Sequence, residues 1–415
     1  MATALELSNT EIRGMCQSYL HQNDLTANFE IISYQLQPVS EAPAGFLGSH
    51  FYLQVILRLQ ETGELKQLRL FCKSAPVGNV SHMEYVEDFS VFQKEISVYQ
   101  HVLPDVQAAC TEIAPKCYYA DKNLLVFENL IDQGYRMGAD RDGLLNYEQL
   151  HCCLKTLAAM HAGSIIKDHK KKPQIPLEEN AYPSNVPPEN LRLVNFNQAC
   201  EVLKEFIKMM PKYQSQLDYI LANFTQRMSS IFELVKTSKT RLNVLLHGDL
   251  WANNILFQYG KYGENPLQCR FVDFQLARYA APVIDLITVL TIPTTSQFRE
   301  AHLSELLAEY YRFMTEFLKR AGLNISDFMT EAEYYDSVEE YRIVGLIESC
   351  LFCHLVIMPT TCTQDLTGTA DGFSDFFSRK RIDICLKAFN TDEIYRSRMQ
   401  DMLEDFIDHF ILQSS

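Results

Sequence analysis

The stretch Leu246-His247-Gly248-Asp249-Leu250-Trp251-Ala252-Asn253-Asn254, followed a hairpin later by Val272-Asp273-Phe274-Gln275, decides how the rest of the chain is read. Asn243 to Leu246 reads as a short buried strand, and His247 to Asn254 as the loop after it. Ile255 to Gln258 and Gln268 to Val272 are strand-like runs that flank a turn containing Gly260, Gly263 and Pro266. In an antiparallel hairpin the start of the first strand lies beside the end of the second, so Asn254 and Asp273 are expected to be neighbours in space. Two oxygen ligands side by side suit Mg2+, which takes few protein ligands and completes its shell with phosphate and water. Asp249, on the same loop, is placed to accept a proton from an attacking hydroxyl.

A loop aspartate as base, an asparagine on metal and an aspartate before phenylalanine on metal is the division of labour of a phosphoryl-transfer site. His-Gly-Asp alone is uninformative, and Asp249 and Asn254 alone would read as loop caps. Asp-x4-Asn followed by a hairpin to Val-Asp-Phe is the specific part. Trp251, the only tryptophan, reads as packing that supports this loop together with His247; substrate stacking is the alternative. Asp285 follows Pro282 at the start of a helix. There it complements the helix dipole and can brace the loop.

The first 130 residues read as strand-rich. Phe29 to Pro38 is one run, His50 to Leu59 alternates, Glu61-Thr62-Gly63-Glu64 is a turn, and Leu65 to Lys73 is the third strand. Tyr85 to Val102 changes to a helical period, with Phe89, Phe92, Ile96 and Tyr99 on one face. Short strands follow near Lys116 to Tyr119 and Leu124 to Glu128. A lysine closing the third strand, Lys73, and a glutamate on the next helix, Glu95, form the pair that can reach nucleotide phosphates. The turn Gly45-Phe46-Leu47-Gly48 could cover phosphates with backbone N–H groups, although it is neither GxGxxG nor a Walker A motif. Glu128-Asn129-Leu130 reads as a link between two lobes with backbone groups available to an adenine. From Asn146, which with Gln149 resembles a capping arrangement, the chain is mainly helical.

At 415 residues with 47% apolar and 21% charged residues, the chain has the composition of an ordinary globular protein large enough for one big domain or two lobes. A net charge of −15 argues against nucleic-acid and anionic-membrane partners. The N-terminus does not read as a secretory signal, no apolar run reaches a membrane span, and 12 scattered cysteines suit reduced thiols, so a cytoplasmic location is expected. Cys350-Leu351-Phe352-Cys353-His354 matches a haem-attachment and a CxxC pattern, but it lies in an apolar, helix-like run and reads as buried core.

With these residues in hand, the chain resembles the ecdysteroid kinase-like family of arthropods, itself similar to choline kinases and aminoglycoside phosphotransferases. The resemblance runs from about Ser33 to Leu386. It rests on the Lys73 strand, Phe92-Gln93-Lys94-Glu95-Ile96, Leu125 to Leu130, His-Gly-Asp-Leu-Trp-x-x-Asn and Val-Asp-Phe-Gln. It implies an α+β, bilobal protein-kinase-like fold. The nucleotide-binding lobe, over 1–130, would be an antiparallel sheet with one helix. A larger, mainly helical catalytic and acceptor-binding lobe would span 131–415. It implies ATP and Mg2+ as cofactors, with Asp249 as base, Asn254 and Asp273 on metal, and Lys73, oriented by Glu95, on ATP. Gly45, Gly48, Glu128 and Leu130 would complete the ATP site. The implied reaction is ATP-dependent phosphorylation of a small-molecule hydroxyl, on an ecdysteroid or related steroid or xenobiotic alcohol. A choline- or ethanolamine-type kinase and an inactive binding protein of the same fold are the alternatives. Asn129 stands where the family hinge often has Asp. Gln275 replaces the glycine of protein kinases, and only residues 274–284 separate Asp273 from Asp285. That leaves no room for a peptide-docking loop, so a small molecule and not a protein is the expected partner.

Overall fold

The computed structural model describes residues 7–25, 27–39, 49–75, 91–121, 123–170, 177, 181–183, 186–260, 263, 265–362 and 380–413. The chain divides into two compact units, Met1–Pro104 with Ala114–Tyr135, and Asp105–Ile113 with Arg136–Ser415. It is a mixed α+β chain, with an antiparallel sheet first and a larger, mainly helical part after it.

In the first unit, β1 (Phe29–Pro38), β2 (Ser49–Leu59), β3 (Leu65–Ser74), β4 (Cys117–Asp121) and β5 (Leu124–Glu128) form one sheet in the order β1-β2-β3-β5-β4. The alternation read in the sequence is the reason. Leu53, Val55 and Leu57 of β2 and Leu68, Leu70 and Cys72 of β3 are buried on one face. A helix that the strand pattern does not announce, α1 (Asn9–Gln22), covers that face with Ile12, Met15, Cys16 and Leu20. Its start is legible in hindsight: Ser8 caps the Glu11 N–H and Glu11 returns to the Ser8 N–H, a complete capping box. Among its described residues this unit carries a helix beyond the one expected. The helix expected over Tyr85 to Val102 is α2 (Val91–His101); the earlier part of that run, and the Gly45 to Gly48 turn, lie outside the described residues. Tyr99 of α2 stacks obliquely on Phe127 of β5 at 4.7 Å.

The second unit is built on α4 (Tyr147–Lys170), which the reciprocal Asn146–Gln149 cap starts, each side chain accepting from the other's N–H at 2.9 Å. A short α3 (Leu103–Ala109) precedes it, and α5 (Leu191–Lys208) and α6 (Leu217–Met228) follow it. The short β6 (Tyr135–Met137) joins the hairpin of β8 (Ile255–Tyr259) and β9 (Pro266–Phe271). The strand β7 (Val244–Leu246) pairs antiparallel with β10 (Arg278–Ala280), a strand the sequence pattern is too short to reveal. Among the described residues a short helical turn at Ile231–Leu234 and then five longer helices follow: α7 (Val283–Thr291), α8 (Ser296–Arg320), α9 (Glu331–Val356), α10 (Arg381–Thr391) and α11 (Glu393–Ile407). Gly345 lets α9 press against α7: a Cβ there would meet Ile287 Cγ2 at 2.4 Å and Thr291 Oγ1 at 2.7 Å.

Cys350, Cys353 and His354 are buried in α9, and burial raises both thiols and lowers the imidazole. The haem and redox patterns are thus core packing, and the twelve cysteines are free thiols. Among the described residues no helix is long and apolar enough to cross a membrane.

Candidate active site

In the first unit, β3 presents Lys73 on the face opposite Cys72, opposite His50 of β2 and Leu125 of β5. Glu95 sits one helical turn before Tyr99, so the ring contact of Tyr99 with Phe127 fixes the helix face that carries it. Lys73 Nζ lies 2.6 Å from Glu95 Oε2, and the two residues are 5% and 1% exposed. Breaking a buried pair leaves one uncompensated charge, and removing both need not. Glu95→Ala is therefore expected to cost about 3–5 kcal/mol, and Glu95→Ala with Lys73→Met distinctly less. Urea melts of the single and double variants measure this; additive losses would contradict a coupled pair.

The Glu128 side chain is engaged within the first unit. The Glu128 carboxylate accepts from the Lys116 N–H at 2.8 Å and from Gln133 Nε2 at 2.7 Å. Asn129 caps the 3-10 turn Leu130–Gln133 by accepting from the Ile131 N–H, which an aspartate would do equally well. The departure at Asn129 leaves this turn intact.

The His247–Asn254 loop lies wholly in the second unit. The β8–β9 register pairs Ile255 with Phe271, and the Val272 N–H donates to the Asn254 carbonyl at 3.0 Å. That register puts Asn254 beside the segment that ends in Asp273. Asn254 Nδ2 donates to the Asp249 carbonyl at 2.8 Å and to Asp249 Oδ2 at 3.1 Å. These bonds use the amide nitrogen and not the amide oxygen. Asp273 is left-handed, with φ 69°, which aspartate tolerates better than most residues and which recurs where strain serves a site.

Gly248 is left-handed too, with φ 79°, and its α-carbon packs so closely that a Cβ would lie 2.1 Å from the Leu276 carbonyl oxygen. His247 locks the loop from inside. Its Nδ1 accepts from the Asp249 N–H at 3.3 Å, so Nε2 carries the proton and donates to the Val272 carbonyl at 3.0 Å. The ring rests on Phe274 at 4.4 Å. Asp285 accepts from the His247 N–H at 2.6 Å and the Gly248 N–H at 3.0 Å. The helix-start acid is thus also the brace of the loop. Burial works to raise its pKa, but His161, His247 and Arg278 around it hold it below the usual carboxylate value. Trp251 is half-buried, and its N–H and carbonyl join the turn that brings Asn254 round.

This arrangement strongly perturbs Asp249. Burial, then the charges of Asp273 and Glu348, push its pKa up to about 8, against hydrogen bonds from Asn254 and Gln275 that favour the charged form. Two contributors are missing from the sequence reading. Gln275, taken only as a marker in Asp-Phe-Gln, holds the Asp249 carboxylate. Glu348 pairs with Arg278 at 3.0 Å, both nearly fully buried, and accepts from the Thr288 hydroxyl. The available signal was a lone glutamate in an apolar helical run. Among the described residues no cluster of three His, Cys, Asp or Glu is arranged as a metal cage. The donor set of one amide oxygen and one carboxylate fits a hard cation that shares its shell with phosphate, not a structural metal.

The sequence profile of the ecdysteroid kinase-like family matches residues 45–323. The chain belongs to that family. The matched span holds Lys73, Glu95, the His247–Asn254 loop, Asp273 and Asp285, whereas Glu348 lies beyond it. A search of curated proteins gives no match. Among solved structures, the chain is similar to a microcompartment-associated aminopropanol kinase, at 11% identity over 89% of this chain and 98% of that one, with a TM-score of 0.37. A superposition that poor carries no argument about this family member's chemistry.

Proposed function

We propose that the protein is a small-molecule kinase that transfers the γ-phosphoryl group of ATP to a hydroxyl. The observation that carries the reading is the hairpin register that sets Asn254 against Val272, the residue before Asp273, while Asn254 Nδ2 donates to the Asp249 carboxylate. Asp249 accepts the hydroxyl proton as the acceptor oxygen bonds to the γ-phosphorus, the bond to the bridging oxygen breaks, and ADP departs. Asn254 and Asp273 hold Mg2+, which when bound neutralises phosphate charge. Lys73 holds nucleotide phosphates, and Glu95 keeps its ammonium in place. Gly45 and Gly48, outside the described residues, belong to the same proposal as phosphate-covering backbone, with Glu128, at the end of β5, and Leu130, at the start of the next turn, beside the adenine.

Family membership supports a steroid or related xenobiotic alcohol as acceptor, with the reaction in the cytoplasm. A simple test precedes any acceptor. Saturating ATP with Mg2+ should stabilise the protein by about 3 kcal/mol at a hundredfold excess over Kd and change the fluorescence of Trp251. Asp273→Asn should weaken both responses. A melting curve indifferent to ATP would remove the kinase reading. The acceptor class is tested by ATP consumption over a panel of steroids, amino-alcohols and phenolics.

A further inference from the structure

Asp285 holds the backbone of His247 and Gly248, but a carboxylate on a helix start can rotate. Two side chains from other helices address it. His161 of α4 and Tyr310 of α8 are both fully buried. His161 Nε2 lies 3.6 Å from Asp285 Oδ2, the same oxygen that accepts the His247 N–H. His161 Nδ1 lies 2.6 Å from the Tyr310 hydroxyl. A bare ring nitrogen facing a carboxylate oxygen would be repulsive, so Nε2 carries a proton, and in the neutral ring the Tyr310 hydroxyl donates to Nδ1. The separation of 3.6 Å makes this an electrostatic contact and not a hydrogen bond. The residue type itself needs explaining. Position 161 continues the apolar stripe of Leu150, Leu154 and Leu157 on α4, where a leucine would pack at no polar cost. Tyr310 in turn packs against Tyr334 of α9 at 6.0 Å, which anchors the far end of the chain of contacts.

We infer that His161, steadied by Tyr310, is a positioning residue for phosphoryl transfer: it fixes the Asp285 carboxylate and, through the His247 and Gly248 amides, the direction in which the loop presents Asp249. The inference rests on the kinase reading for its catalytic consequence, but not for its structural one. His161 touches no reacting atom.

The test compares His161→Phe, His161→Gln and Tyr310→Phe, each by kinetics and by amide hydrogen exchange. Loss of loop direction should reduce kcat of His161→Phe by about tenfold to a hundredfold, with KM for Mg·ATP within about twofold. Exchange of the His247 and Gly248 amides should quicken while the β8–β9 hairpin keeps its protection. His161→Gln, which restores a donor toward Asp285, should recover most of the loss, and Tyr310→Phe should show a weaker form of it. The inference is overturned if folded His161→Phe keeps wild-type loop exchange, or if protection falls evenly across the unit. It also fails if kcat and KM change together as in a merely unstable protein. Should His161→Phe not fold, Tyr310→Phe decides by the same two readouts. If wild-type protein turns over no acceptor, the kinase reading has failed, and the exchange result still decides whether His161 governs the loop.

Discussion

Asp249→Asn is expected to lose turnover by about 10²–10⁴-fold while still binding Mg·ATP, because it removes the proton acceptor and keeps the shape and the Asn254 contact. The same substitution should stabilise the metal-free protein. Burial and the Asp273 and Glu348 charges push the pKa of Asp249 up to about 8, whereas in the unfolded chain it ionises near 4. Between those values the folded state holds a proton that the unfolded state has released, so wild-type stability falls as pH rises through that window. An asparagine has no such dependence. At pH 7 the variant should be more stable by on the order of 1–4 kcal/mol, and the advantage should vanish below about pH 4. Turnover of wild-type enzyme carries the opposite requirement, since only ionised Asp249 accepts a proton. Its rate should rise with pH along a limb that lies below about 8 once a cation offsets the charge of Asp273. Melts at several pH values and a pH–rate profile check the pair. An Asp249→Asn protein that is less stable than wild type at pH 7, or fully active, contradicts the assignment.

The second large effect is structural. Gly248→Ala places a methyl group 2.1 Å from the Leu276 carbonyl oxygen and demands φ near +79° of an alanine. The left-handed backbone alone costs about 1–2 kcal/mol. The obstacle is backbone, not a side chain that can swing away, so relief must displace the segment carrying Asp273 and Gln275. The variant should melt several degrees lower and turn over as poorly as Asp249→Asn, by scanning calorimetry and the same assay. A Gly248→Ala protein with wild-type melting and activity would show that the loop does not need this close approach.

What the sequence made legible follows from how local each signal is. The hairpin between Asn254 and Asp273 needs only two short apolar runs and a turn, so its register could be read directly. The sheet strands alternate over ten residues or so, and their bounds came out within a residue or two. The α1 helix was overlooked because four buried residues over fourteen make a weak periodic signal, although its capping box was present. The β10 strand, three residues long, has no period to detect; only its pairing with β7 defines it. Asp285 carried two compatible readings, and its bonds to the His247 and Gly248 amides fulfil the bracing one. Gln275 and the Arg278–Glu348 pair were beyond reach for another reason. Glu348 lies 70 residues from Arg278, and a contact across that separation leaves no pattern in either segment. The nature of the acceptor was likewise unreadable from spacing, and rests on family likeness around Trp251 and Gln275.

The proposed reaction is transfer of a phosphoryl group from ATP to a small-molecule hydroxyl at Asp249. Its most direct test follows the label of γ-³²P-ATP in the presence of Mg2+ and a panel of hydroxylated steroids, amino-alcohols and phenolics, with wild-type and Asp249→Asn proteins side by side. The expected result is an acid-stable phosphate ester on at least one of the small molecules, formed only with Mg2+ and only by wild-type protein. Label that stays on ATP across the whole panel despite bound Mg·ATP, or that moves equally with Asp249→Asn, would contradict it.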